Sequence, residues 1–371
     1  MNVVYVANDA YAQHLAVSMC SLLDACQDEE RLNVAVVSLG ITEESRRKIR
    51  KTAESFGREV LFRELSEERL LSGFSGLLDT GRFDVSTMGR LFLDELLPES
   101  WDRVLYLDCD TVVLKPLSRM YRRGLAGDAG LSREDQALRD GAPGDSPAVM
   151  AAVQEPTIYP EVRAYLGLRP EDPYFNAGVL LIDLGAFRRE QLFPAVRRFY
   201  GTVAEQCLFN DQDALNGCPE LKGRIAGLPP AFNFFTNYRY FRYDTLAGLS
   251  PSYTQVSRRQ FAAAKRRPAV IHYAGAERPW VAGALNYYGR AYRLYLAMTP
   301  FAGAKKQEGK RISMLCYHAM ELLTVVSPAL RQKISAAYIQ REIRARERKL
   351  QGRAAGRPGG NAEPEVEGSR R

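Results

Sequence analysis

The chain has few soft metal ligands and no stretch that could cross a membrane. It holds three histidines (His14, His272, His318) and six cysteines, none in a Cys-x-x-Cys pair and none spaced as a disulfide framework. A disulfide-stapled design is thereby excluded, and the thiols are expected to be free in a reducing cytoplasm. There is no run of about 18 apolar residues, which excludes a spanning helix. No basic region precedes the first apolar stretch, and Asn8-Asp9 interrupts it early, so no secretion signal is expected. Excess positive charge is absent from most of the chain. The formal charge is +7, but residues 301–371 carry 15 Lys and Arg against 7 Glu, leaving the rest close to neutral. Charge confined to one segment excludes a general nucleic-acid binder.

Core material is ample: 46% of the 371 residues are hydrophobic and 10% aromatic, enough for one large or two modest domains. Residues 2–7, 32–39 and 60–65 read as buried strands, while residues 12–26 and a capped segment over 42–56 read as helices. This alternation predicts an α/β chain with a mostly parallel sheet, whose ligands bind beyond the carboxyl ends of the strands. Asn8, Asp9, Asp108 and Asp110 lie at such ends.

The stretch 103–117, Arg-Val-Leu-Tyr-Leu-Asp-Cys-Asp-Thr-Val-Val-Leu-Lys-Pro-Leu, organises the rest. Val104 to Leu107 form an apolar run without helical period, the pattern of a strand covered on both faces. The run ends in Asp108 and Asp110. Residues i and i+2 of a strand point the same way, so both carboxylates reach one small volume and repel unless a cation lies between them. Oxygen ligands of this kind select Mg²⁺ or Mn²⁺ over zinc or copper. Taken alone, Asp-x-Asp reads more readily as a polar turn.

Ser86 to Leu91 opens an amphipathic helix with Arg90 in its first turns, either solvated or facing phosphate in a cleft. Residues 124–147 are rich in Gly, Ala, Asp and Pro and read as a mobile loop or lid. Residues 149–153 resume a strand that ends at Gln154-Glu155. Three further motifs follow. In Tyr174-Phe-Asn-Ala-Gly-Val-Leu-Leu-Ile-Asp183, a segment of close backbone approach leads into a strand over 179–182. Asn210-Asp-Gln-Asp-Ala-Leu-Asn216 is a polar cluster heading a short helix, read alone as an acidic first turn favoured by the helix dipole. In Val270-Ile-His-Tyr-Ala-Gly-Ala-Glu-Arg-Pro-Trp280, His272 ends a brief strand.

These four motifs, in this order over residues 1–285, resemble glycosyltransferase family 8, the retaining group that includes bacterial lipopolysaccharide galactosyl- and glucosyltransferases. The resemblance implies a GT-A fold: a single Rossmann-like nucleotide-sugar-binding domain over residues 1–300 with a mixed, mostly parallel sheet. It implies a UDP-galactose or UDP-glucose donor and Mn²⁺, or Mg²⁺, at the donor diphosphate. Asp108, Asp110 and His272 occupy the metal-ligand positions. Arg90 matches a donor-binding arginine, Asn176 and Ala177 fall at a sugar or acceptor contact, Asp211 at a sugar hydroxyl, and Gln212 against the reacting face of the sugar. Ala7, Asn8, Asp9, Cys109, Gln154, Gly275 and Arg278 complete the expected donor site. Four departures stand out. Asn8 replaces an acidic residue facing uracil, though it keeps hydrogen-bonding capacity. Ala10 replaces a polar ribose contact. Gln154 stands where a sugar-binding aspartate is usual, with Glu155 the alternative one register on. Arg278 replaces a lysine at the diphosphate, exchanging a compact ammonium for a planar fork.

Breaking the anomeric C–O bond leaves negative charge on UDP and positive charge on the sugar. The expected metal stabilises the former as a Lewis acid, and Arg90 and Arg278 add to the electrostatic stabilisation. Double displacement needs a nucleophile, usually a carboxylate. A neutral Gln212 is a poor one, so front-face attack is expected, with Asp211 or Asp213 as the alternative nucleophile.

Beyond residue 300 the pattern changes. Ile312, Leu315, Cys316, Ala319, Leu322, Leu323 and Val326 recur at helical spacing, Pro328 breaks that helix, and dense Arg and Lys follow. This basic amphipathic extension, residues 301–350, either packs on the catalytic domain or meets an anionic membrane surface. Residues 351–371 read as a disordered tail. The expectation is a cytoplasmic enzyme, peripheral on the inner face of the plasma membrane. It would pass a hexose to a cell-surface glycan or lipid-linked oligosaccharide, as in lipopolysaccharide biosynthesis. A protein-glycosylating transferase and a catalytically silent, membrane-bound nucleotide- or glycan-binding protein are the alternatives.

Overall fold

The large sheet has seven strands in the order β3-β2-β1-β4-β7-β6-β8. They are β1 (Asn2–Asn8), β2 (Asn33–Leu39), β3 (Val60–Glu64), β4 (Arg103–Leu107), β6 (Met150–Gln154), β7 (Phe175–Asp183) and β8 (Ile225–Leu228). The structure is a computed structural model and describes residues 1–74, 78, 84–126, 147–309 and 311–355. Among these strands β7 alone runs antiparallel, against β4 and β6, so the sheet is mixed and mostly parallel as the alternation predicted. The unbroken apolar runs have a simple cause. Along β1, Val4 and Val6 enter one core layer with Val37, Val104 and Tyr106. Val3, Tyr5 and Ala7 enter the other with Val36, Leu105 and Leu107. Both faces of the sheet are covered, and each buried Val or Leu contributes about 1.5–3 kcal/mol.

A second sheet joins β5 (Thr111–Val113), β10 (Val270–His272) and β9 (Phe234–Phe235) in the order β5-β10-β9. The chain leaves the large sheet at Leu107 and enters the small one at Thr111, so Asp108-Cys109-Asp110 is the crossover between them. The two carboxylates therefore share a volume because of this turn and not because they alternate on a strand. The segment around Arg90 also differs from expectation. It is a 3₁₀ helix, Val85–Phe92, capped by Asp84 and followed by a short α-helix, Leu93–Leu96. Residues three apart line up in 3₁₀ winding. Met88 and Leu91 thus enter the core while Thr87 and Arg90 face the cavity described below.

Strand β7 begins at Phe175, so Asn176 and Ala177 are strand residues and not the approach to one. Of the expected 124–147 loop, Gly124–Ala126 form a 3₁₀ turn and residues 127–146 lie outside the described residues. Two helices close the chain, Arg311–Val326 and Pro328–Ala355. The second runs past residue 350, where the tail was expected to begin; residues 356–371 lie outside the described residues. Among the described residues, no helix is long and apolar enough to cross a membrane. None of the six cysteines forms a disulfide among the described residues, and Cys316 is exposed.

The first terminal helix turns most of its apolar period outward. Met314, Glu321 and Thr324 are buried, whereas Ile312, Leu315, Leu322 and Val326 are exposed. Glu321 meets Glu277 and Tyr240 of the preceding chain, and Thr324 Oγ1 donates to the Met320 carbonyl of its own helix (2.7 Å).

Candidate active site

Sheet register assembles the first part of the site. Strand β10 pairs antiparallel with β5, His272 opposite Thr111, which sets the imidazole beside Asp110. His272 Nε2 lies 3.2 Å from Asp110 Oδ1 and 3.7 Å from Asp108 Oδ2. One ligand atom from each of the three residues lies within 4.8 Å of the others. A chain of hydrogen bonds sets the tautomer of His272. The Gly178 N–H donates to Asn176 Oδ1 (2.8 Å), which also accepts from Asn233 Nδ2 (2.7 Å). Asn233 Oδ1 is thereby presented to His272 Nδ1 at 2.8 Å. The proton then sits on Nδ1, and the Nε2 lone pair faces the two carboxylates, the usual arrangement behind a metal-binding histidine. Two carboxylates and one imidazole form a donor set that fits Mn²⁺ or Mg²⁺.

Electrostatics agree with a site built for positive charge. Burial alone would raise the Asp110 pKa, but His272 and Arg278 outweigh it and hold the carboxyl well below its usual range. Arg278 Nη2 lies 3.7 Å from Asp110 Oδ2. Burial would lower the His272 pKa, yet Asp110 and Asp108 raise it above the ordinary value. The ion's space also depends on a missing side chain. A Cβ on Gly178 would lie 2.8 Å from His272 Nδ1 and 2.9 Å from Asp108 Oδ2. Gly178→Ala is therefore expected to weaken Mn²⁺ affinity about 10–100-fold, the cost of disturbing residues that orient metal ligands. Calorimetric titration with Mn²⁺ checks this; affinity equal to wild type would place the ion elsewhere.

Arg90 is buried and not solvated. Its Nη2 meets Asp108 Oδ1 at 2.9 Å and its Nε meets Asp211 Oδ2 at 3.0 Å. Nη1 donates to the Ala177 carbonyl at 2.5 Å, and the guanidinium stacks 4.4 Å above the Tyr106 ring. The Tyr106 hydroxyl donates to Asp108 Oδ1 at 2.5 Å. Burial would lower the Arg90 pKa, but Asp108 and Asp211 raise it well above its usual value. Burial also pushes the Asp211 carboxyl up to about 6, against the opposing pull of Arg90. Arg90 thus clamps Asp108 to the helix that carries Gln212.

That helix, Asn210–Gly217, begins with Asn210 in the left-handed region at φ 44°. Gln212 Oε1 accepts from Asn176 Nδ2 (2.6 Å) and Ala177 N (3.0 Å). Its Nε2 donates to Glu155 Oε2 (3.0 Å) and the Tyr174 hydroxyl (3.1 Å). Four partners fix the amide in one orientation. Glu155 also accepts from Asn176 (3.0 Å), and burial pushes its carboxyl above the usual range. Asp213 is fully buried and is not among the described residues that line the cavity below. Its oxygens accept from the Tyr174 and Tyr165 hydroxyls (2.7 and 2.6 Å), and from the amides of Leu208 and Phe209 (2.9 and 2.8 Å).

Asp108, Asp110 and His272 open onto a cavity of about 820 Å³. Arg90, Asp211, Gln212, Asn176, Ala177, Cys109, Gly275 and Arg278 also line it, so the structure brings most of the expected donor site together. Cys109 turns its thiol to the Val6 carbonyl (3.4 Å). Four expected residues do not appear among the described lining residues: Ala7, Asn8, Asp9 and Gln154. Ala7 is buried in the sheet core. Asn8 caps the following turn and donates to Asp84 Oδ2 (2.8 Å), reaching the cavity only through that carboxylate. Asp9 accepts from Thr42 N (2.9 Å) and Thr42 Oγ1 (2.8 Å). Gln154 turns to Gln255 (3.3 Å), and Glu155 takes the place on the cavity wall.

Several lining or supporting residues escaped the sequence. Tyr11 accepts from Arg278 Nη1 at 3.2 Å, and its only signal was its place just after Asn8-Asp9. Asn233, Tyr106 and Tyr174 carried no spacing rule. Tyr317 and Tyr338 reach the cavity from the two C-terminal helices, which the sequence set apart from the site.

A family model described as "Glycosyl transferase family 8" matches residues 2–284. The chain is 25% identical over 302 residues to "General stress protein A" of Bacillus subtilis, covering 81% of this chain and 94% of that protein. It is 25% identical over 224 residues to "Lipopolysaccharide 1,2-glucosyltransferase" of Escherichia coli, covering 60% and 57% respectively. A crystal structure of the galactosyltransferase LgtC, in complex with donor and acceptor sugar analogs, matches with a TM-score of 0.61 at 24% identity. That match spans 81% of this chain and 96% of the other.

Proposed function

Because the chain belongs to glycosyltransferase family 8, we propose that it is a retaining transferase. It moves galactose or glucose from a UDP-sugar to a cell-surface glycan or lipid-linked oligosaccharide. The observation that carries this reading is the Asp108, Asp110 and His272 triad, set in one cavity with Gln212 and flanked by Arg278. Asp108, Asp110 and His272 would hold Mn²⁺, or Mg²⁺, which when bound supplies Lewis-acid stabilisation of the leaving diphosphate. Arg278 adds a fixed positive charge beside Asp110, aimed by its bond to Tyr11. Gln212 presents a rigid, neutral amide to the sugar, which favours front-face attack. Asp211 is the remaining carboxylate on that helix, and its pairing with Arg90 favours a role in holding a sugar hydroxyl over one as nucleophile. Glu155 is placed to accept a second hydroxyl.

Peripheral attachment to an anionic membrane, on the cytoplasmic side, is part of the same proposal. Ile312 and Val326 are 78% and 73% exposed, and the following helix exposes Arg341 and Arg344. An apolar stripe beside dense cations suits such a surface.

The test is release of UDP from UDP-galactose and UDP-glucose, with and without Mn²⁺. Slow hydrolysis of one sugar that requires the ion is the expected result. No turnover of either, together with no metal-dependent UDP binding, would sink the proposal.

A further inference from the structure

The segment that carries Arg278 is held from outside the catalytic domain. A Cβ on Gly275, which sits at φ +106°, would lie 2.8 Å from the Tyr317 hydroxyl of the helix Arg311–Val326. Two residues on, Glu277 is 2% exposed, and Glu321 of the same helix is 8% exposed. The two carboxyls face each other. Both oxygens of Glu277 and Oε1 of Glu321 are buried without a conventional donor. Two ionised carboxylates in this position would repel, and none of those three oxygens would be satisfied. A single proton between them removes the repulsion and joins one oxygen of each carboxyl, and the Thr236 hydroxyl, itself unpaired, stands against Glu277 for the third.

We propose that Glu277 and Glu321 share one proton and, with Tyr317, clasp residues 274–278 to the C-terminal helix, making them positioning residues for Arg278. The proposal rests on the reading of Arg278 as a diphosphate-binding group. The surroundings favour one retained negative charge. His318 Nδ1 lies 2.8 Å from Glu321 Oε2, while His318 Nε2 lies 3.3 Å from the Gly283 carbonyl. From the turn Thr236–Arg239 and the residue after it, Thr236 faces Glu277 and Tyr240 faces Glu321. Tyr317 and Tyr288 complete the surrounding titratable groups, with Arg239 and Arg331 behind them. Arg278 itself turns the other way, to Asp110 and Tyr11. The backbone is tied in parallel: Gln307 N donates to the Trp280 carbonyl at 2.8 Å, and Ala282 N donates to the Gln307 carbonyl at 2.9 Å.

Burial and the neighbouring carboxyl push Glu277 up to about 9, and burial pushes Glu321 in the same direction. A carboxyl raised in the folded state contributes stability that is present at low pH and lost as pH rises through the folded value. The clasp is therefore tightest in acid and loosens as pH rises from the ordinary carboxyl range toward about 9.

Hydrogen exchange of the full-length chain tests this without assuming any donor. Amides of residues 274–278, corrected for intrinsic exchange, should lose protection by up to roughly tenfold per pH unit between the ordinary carboxyl range and the folded value of about 9, and level off above it. Glu277→Gln should hold protection constant over the same range, because its carboxamide donates to Glu321 at every pH. Glu321→Gln reverses the roles and serves as the second variant should the first misfold. Equal pH dependence in wild type and both variants would overturn the proposal. So would wild-type protection in Glu321→Ala. Affinity for UDP with Mg²⁺ should follow exchange protection in the wild type. Exchange that behaves as expected in a chain that binds no UDP would support the clasp while removing the donor reading.

Discussion

Asp110→Asn is expected to lower metal-dependent turnover of the UDP-sugar by roughly 10³-fold, the scale of losing a preorganised electrostatic group at a reacting centre. The substitution keeps the shape of the side chain and removes one of the two carboxylate charges facing His272. Asp110 touches His272 Nε2 at 3.2 Å and Arg278 Nη2 at 3.7 Å, so the loss reaches all three groups. His272 loses the carboxylate that most raises its proton affinity, and Arg278 loses the anion beside it. Because the change is isosteric the fold should be kept, while thermal stability near neutral pH falls by the contribution of a carboxyl held below its usual range and the Mn²⁺ requirement disappears with activity. Measured at saturating Mn²⁺, a variant within a few-fold of wild type would remove Asp110 from the metal site.

Arg90→Met should be strongly destabilising, by about 3–5 kcal/mol, because it leaves the buried carboxylate of Asp211 and the half-buried one of Asp108 without their cation. Asp108 and Asp211 both depend on this guanidinium, at 2.9 and 3.0 Å. Arg90→Lys should not rescue it, since one ammonium cannot reach two carboxylates and the Ala177 carbonyl from opposite edges of a plane. The loss should also depend on pH. Burial already raises Asp211 to about 6, so its ionised form is the costly one. A raised carboxyl contributes stability at low pH that is lost as pH rises through its folded value, and removing Arg90 removes the main offset. Urea unfolding should therefore show a smaller defect at about pH 5 than at about pH 7.5. A defect that is equal at both, or larger in acid, would mean that Arg90 does not hold Asp211 ionised.

Much of the architecture was legible because its cause is local. The runs at β1, β2 and β4 are largely apolar, since both faces of those strands are buried, and that pattern survives in sequence, whereas the edge strand β3, with Arg63 and Glu64, is only half-buried. The direction of β7 leaves no such trace, because antiparallel and parallel strands between two covered faces have the same composition. Gln154 shows how narrow the margin is. Strand alternation puts neighbouring residues on opposite faces, and the register between β6 and β7 shifts between Ala152 and Gln154. That one irregularity sends Gln154 to Gln255 and Glu155 to the cavity. The C-terminal helix shows the same limit from the other side. Its apolar period left open whether that face packs on the domain or meets a membrane, and the side that turned inward is the one where Glu277 and Tyr240 meet Glu321.

By itself the sequence determined an α/β chain with a two-carboxylate crossover and, through four ordered motifs, the family to which it belongs. Tertiary structure decided how those motifs meet. Asn233 selects the His272 tautomer, Arg90 ties Asp108 to Asp211, and two tyrosines of the terminal helices enter the cavity. Each of these depends on contacts between residues far apart in the chain. Their positions follow from sheet register and helix packing, and neither quantity is written in the spacing of any one segment.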